Sequence, residues 1–158
     1  MEYELAGYMD NTGLTEAQLT DEILSTNENS RQYGLCISQD QAKMLVKAGK
    51  EALKTKDRVE FGSSITPKLI EKFAQSSYVS QVDFAQTIAA LIDVFYEVKD
   101  QSCDVLSDDD VLDIMFYCFE NTSMGSVELL QTRDMEYITR DIRNKAMNVY
   151  SDDDMYEQ

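Results

Sequence analysis

Five aspartates fall between positions 104 and 113, namely Asp104, Asp108, Asp109, Asp110 and Asp113. Carboxylate oxygens at that density suit a hard divalent cation such as magnesium, which would polarise a substrate oxygen or activate a water. A plainer reading competes with it, because acids in the first turn of a helix interact favourably with its positive end. Asp113 stands apart: every other residue from Val111 to Phe119 is apolar or aromatic. It either faces solvent or sits buried as a perturbed carboxylate. Lys43, Lys47, Lys50 and Lys54 recur at the spacing of one helix face, a strip able to receive an anionic partner or simply to be solvated. The run Arg58-Val59-Glu60-Phe61-Gly62-Ser63-Ser64 joins opposite charges, an aromatic ring and a permissive glycine. Such a connector can hold a ligand, or Phe61 can merely pin it to the core.

Other chemistries are excluded by what the chain lacks. It contains no histidine, which removes the commonest acid–base side chain near neutrality and the commonest zinc ligand. Ser-His and Cys-His catalytic arrangements therefore cannot be built. No phosphate-binding glycine loop, dinucleotide fingerprint or EF-hand spacing occurs. Cys36, Cys103 and Cys118 make an odd count without a CxxC pair, the usage of a reducing compartment, and all three read as small core residues. Neither cofactor nor metal is assigned from these residues.

Fourteen basic against thirty acidic residues give a formal charge of −16. A surface of that sign repels nucleic-acid backbones and anionic lipid headgroups. The charge is uneven: residues 31–75 carry nine bases and five acids, whereas 76–132 carry one base and eleven acids. The first residues lack the basic and apolar regions of a signal peptide, and no apolar stretch approaches the ~20 residues that span a bilayer. A cytoplasmic protein is expected.

Elements that would position these groups announce themselves at their starts. A short polar residue accepts from orphan helix N–H groups while apolar residues on either side close over the turn. Leu14-Thr15 with Gln18 and Leu19 follows this grammar, as do Ile37-Ser38 with Gln41 and Ala42, Val79-Ser80 with Asp83 and Phe84, and Leu106-Ser107 with Asp110 and Val111. A fifth start, Ile65-Thr66-Pro67, places proline at the first helical position. The first helix runs from Glu16 toward Leu24 and meets a polar stretch, Ser25 to Ser30, before Gly34 offers a stop. Stripes at helical spacing follow over 39–55, 67–75 and 81–99. The segment 111–119 should be enclosed on most sides and form the centre of the bundle. Met135, Ile138, Ile142, Ala146 and Val149 make a narrow last seam, suited to packing on its own domain or on another chain.

Around the connector the chain resembles an uncharacterised protein family of anaerobic Gram-positive bacteria, a domain of unknown function found in gut Firmicutes. The resemblance is carried by Tyr33-Gly34-Leu35 before the Ser38 cap, Arg58-Val59-Glu60-Phe61-Gly62, Lys68-Leu69-Ile70, Phe95-Tyr96, Leu106-Ser107-Asp108-Asp109 and Gly125-Ser126. It covers most of residues 30–130 and implies no activity, cofactor or catalytic residue. Ser63 and Ser64 stand where the family pattern leads one to expect further glycines.

These readings predict an all-α, single-domain bundle of five to seven helices, with at most a short extended segment near 58–62. A flexible segment 1–13 precedes the helical domain 14–150, and an acidic disordered tail follows at 151–158. The expected function is that of a non-enzymatic interaction module whose partner is another protein, with a homodimer through the C-terminal helix as one form. Direct nucleic-acid and membrane binding are not expected. The expected surface comprises Lys43, Lys47, Lys50, Lys54, Arg58, Glu60, Phe61, Gly62 and Asp113. The alternatives are a magnesium-dependent enzyme using the 104–113 acids and an acidic mimic of nucleic acid.

Overall fold

Three of the expected helix starts form as read. Thr15 accepts from the Gln18 N–H at 3.1 Å while the Gln18 side chain accepts from the Thr15 N–H at 2.9 Å. Ser38 and Gln41 repeat the exchange at 3.1 and 2.9 Å. Each reciprocal pair satisfies two orphan donors. Ser107 accepts from the Asp110 N–H at 3.2 Å. The computed structural model describes residues 15–60 and 64–134, together with 140, 141 and 144. The fold is all-α, and the described residues form no strand. Two compact units divide the chain at 96/97.

In the first unit, α1 (Glu16–Ser25) is followed by the single turn α2 (Asn27–Ser30) and a 3-10 turn, Arg31–Tyr33. Gly34 ends this run with φ 77°, a left-handed conformation that glycine adopts without a Cβ penalty. Next come α3 (Gln39–Thr55), α4 (Thr66–Phe73) and the greater part of α5 (Phe84–Gln101). Helix α3 turns Ala42, Leu45, Val46, Ala52 and Leu53 inward, and it packs on α1 and α4. Leu45, Leu69, Ile70, Phe73, Ile88, Leu91 and Ile92 are wholly buried. Each such side chain removed from water contributes about 1.5–3 kcal/mol, so this cluster holds the unit together.

Two expected starts are shifted. Helix α5 begins at Phe84 rather than Gln81, its first bond running from the Thr87 N–H to the Asp83 carbonyl at 2.8 Å. Ser80 caps nothing because Gln81 is diverted into a tertiary contact with Cys36. Helix α4 begins at Thr66, with Pro67 in its first turn, and has no side-chain cap. Ser64 Oγ accepts the Thr66 N–H instead, at 3.3 Å.

The second unit contains the end of α5, then α6 (Asp108–Asn121), the short α7 (Val127–Leu129) and a π-helical turn, Leu130–Asp134. Ser126 caps α7 by accepting the Leu129 N–H at 3.2 Å. Val111, Met115 and Phe119 of α6 are wholly buried. The expectation that this helix is enclosed on most sides is corrected, because Asp113 is exposed and Tyr117 is 63% exposed. Spaced four apart, they share an outer face that the run of apolar letters concealed. The reading of the cysteines also changes. Cys118 is buried, Cys36 is intermediate and Cys103 is exposed, on a turn where its own φ is 59°. The seam Met135, Ile138, Ile142, Ala146 and Val149, the terminal segments 1–13 and 151–158, and Phe61 and Gly62 lie outside the described residues.

Candidate functional site

The lysines expected to form one strip differ in their surroundings. Lys43, Lys47 and Lys54 are exposed, with the exposed acids Asp40 and Glu51 among them. Lys50 leans onto α1 and meets Glu16 Oε1 at 2.6 Å. Of the connector, Arg58 and Glu60 converge on Tyr96. The Arg58 guanidinium lies 5.9 Å from the centre of the Tyr96 ring, within range of a cation–π attraction. The Tyr96 hydroxyl donates to the Glu60 carboxylate, and its ring meets Phe95 edge-on at 5.2 Å. A buried phenol thereby finds an acceptor, and the connector is fastened at Arg58 and Glu60.

The acidic cluster is organised around a lysine. Lys99, whose side chain is only 11% exposed, donates to the Leu106 carbonyl at 2.9 Å and lies 3.0 Å from Asp108 and 3.7 Å from Asp104. This arrangement folds the 102–107 turn back over the end of α5. Asp109, Asp110 and Asp113 point outward. Among the described residues, no three acids or cysteines are grouped to hold a metal ion.

A feature that sequence reasoning missed lies between α2 and α3. Asn27 is buried, donates from Nδ2 to the Ile37 carbonyl at 2.9 Å and accepts the Ile37 N–H at 2.7 Å. Gln81 does the same to the preceding residue, accepting the Cys36 N–H at 2.7 Å and donating to its carbonyl at 2.9 Å. Ser30 donates to the Leu35 carbonyl at 2.9 Å. Leu35, Cys36 and Ile37 are thus fastened by the side chains of Ser30, Gln81 and Asn27, which occupy backbone groups that could otherwise pair with a strand. The signal was present in the spacing. Leu19, Ile23, Asn27 and Ser30 continue one helical stripe, so the two polar residues stand where apolar ones would be buried.

The Gln81 clamp brings together segments that carry exposed apolar side chains. Tyr33 and Tyr78 are about half exposed and Val82 is 83% exposed. Tyr78 is itself held by its N–H bond to Ser76 Oγ at 3.1 Å. Elsewhere in the first unit, Gly49, Lys50, Ser64, Thr66 and Tyr96 help to line a cleft of about 20 Å³. That is room for a water or an ion of similar size and too little for an organic substrate.

The family of unknown function DUF6323 matches residues 22–148. The chain belongs to this family. Asn27, Ile37, Gln81, Thr66, Tyr96 and Lys99 all lie within the DUF6323 match, whereas Thr15 and Glu16 precede it. Comparison with the curated proteins and with the solved structures gives no match. Among the described residues of this DUF6323 chain, no helix is long and apolar enough to cross a membrane.

Proposed function

We propose that this DUF6323 chain is a non-enzymatic protein-binding module, and that its binding surface includes Tyr33, Tyr78 and Val82. The observation that carries this reading is their exposure beside the two-bond Gln81–Cys36 clamp. Aromatic side chains held on a stiff backbone lose little conformational freedom on binding, and they are enriched at protein interfaces. Two of the less exposed polar groups are engaged within the fold. Lys99 engages Asp104 and Asp108, and Tyr96 engages Glu60. The formal charge of −16 favours a protein partner over nucleic acid or an anionic membrane.

The test compares capture by the wild-type protein and by a Tyr78→Ser/Val82→Ser variant from lysate of the producing cells, with circular dichroism confirming both folds. The expected result is a stoichiometric partner retained by wild type and reduced at least about tenfold by the variant, the scale of a lost interface anchor. Identical capture by the two proteins, or no stoichiometric partner for wild type, would defeat the reading.

A further inference from the structure

We infer that the C-terminal end of α6 docks a basic segment of a partner protein, one that presents an arginine beside an apolar side chain. The first observation is Glu120. It lies in the last turn of α6, where the helix ends in partial negative charge and an acid is misplaced, and no basic residue stands in that turn to offset it. Its Oε1 is buried and has no hydrogen-bond partner among the described residues. A carboxylate oxygen removed from water without a donor is unfavourable, so a guanidinium reaching Glu120 would relieve a penalty that the fold by itself retains. The surroundings have the same sign. Residues 76–132 carry eleven acids and one base, and that base, Lys99, already donates to the Leu106 carbonyl and lies 3.0 Å from Asp108. Such a field draws a cation toward the helix end. Among the described residues no three acids or cysteines are grouped to hold a metal ion, so the cation that fits is one bringing its own hydrogen-bond donors.

The second observation is apolar and independent of charge. Tyr117 is 63% exposed and Met124, just beyond the helix, is 67% exposed. A spacing of three makes Tyr117 and Glu120 neighbours on the outer face of α6. Met124 sits on a pinned turn. The buried Ser123 donates from Oγ to the Cys118 carbonyl at 3.2 Å, and the Gly125 N–H donates to the Phe119 carbonyl at 2.7 Å. Side chains presented on so stiff a backbone lose little freedom when a partner covers them. The Tyr117 ring also offers its face to a guanidinium drawn to Glu120. All of these residues belong to the second unit, whereas Tyr33, Tyr78 and Val82 belong to the first. The two surfaces are therefore tested separately.

The probe is a dye-labelled, end-capped peptide of paired arginines and leucines, titrated with the full chain and read by fluorescence anisotropy. The salt is ~150 mM, so that charges more than about 8 Å apart are screened. Wild type is expected to bind saturably with a dissociation constant of about 10–100 μM. Citrulline in place of the peptide's arginines keeps their shape, loses their charge and should weaken binding at least about tenfold. Glu120→Gln and Tyr117→Ser/Met124→Ser should each weaken it about tenfold. Glu51→Gln, which removes an exposed acid of the first unit, should leave it within about twofold. Without peptide, Glu120→Gln should unfold at or above the wild-type thermal midpoint, because the misplaced charge is gone. Absence of saturable binding would overturn the inference, as would undiminished binding by Glu120→Gln or by the citrulline peptide, or an equal loss in Glu51→Gln. A Glu120→Gln midpoint well below wild type would assign the residue to the fold instead. Dimerisation of wild type that Glu120→Gln abolishes in sedimentation would assign the surface to a second copy, against a basic partner.

Discussion

Asn27 shows most directly how one side chain decides local structure in this protein. Its amide takes the place of a neighbouring strand for Ile37, accepting one backbone group and donating to the other. Asn27→Ala should cost about 2–3 kcal/mol in urea unfolding, because the Ile37 N–H and carbonyl lose partners while remaining buried. A loss below about 0.5 kcal/mol would mean that water replaces the amide. Thiol chemistry tests burial at the same scale. Cys103 is exposed and Cys118 is buried, so a native-state thiol titration should show Cys103 reacting first and Cys118 only on unfolding. Peptide mapping after brief alkylation identifies the order. Composition suggested three equivalent core cysteines, and only position in the fold separates them.

At the level of elements, two serines with similar sequence surroundings have different roles. Ser38 makes a reciprocal cap at the start of α3, and Ser38→Ala should lower stability by about 1 kcal/mol. Ser80→Ala should fall within about 0.5 kcal/mol of wild type, since α5 begins three residues after Gln81 and Ser80 provides no cap. Equal losses in paired denaturation curves would contradict this assignment. The capping pattern was legible wherever the cap bonds only its own helix. It misled at Ser80 because Gln81 reaches a residue 45 positions away, a contact that no local pattern contains. Lys99 joins the end of α5 to the start of α6. Lys99→Met removes the donor to Leu106 and the cation beside Asp108. Urea unfolding should register a loss of about 2 kcal/mol, below the full value for a buried pair because the Asp108 carboxylate is 45% exposed.

For the whole molecule, the formal charge of −16 makes self-repulsion a general influence on the folded state. Raising sodium gluconate from ~20 to ~200 mM should raise the thermal midpoint, since the Debye length shortens to below ~10 Å and like charges on the surface cease to interact. A flat or falling midpoint would show that attractive pairs such as Lys50–Glu16 outweigh the repulsion. Sequence alone determined the all-α class, most helix positions and the sign of the surface, because 3.6-residue periodicity, end caps and charge are properties of neighbouring letters. It also pointed to Arg58 and Glu60 without revealing that Tyr96 is where they meet. Tertiary structure decided which polar residues lie inside, which face of α6 meets water, that Lys50 meets Glu16, and that Lys99 lies beside Asp104 and Asp108. Those outcomes depend on contacts between residues far apart in the chain, where burial and pairing are settled by packing and not by local pattern.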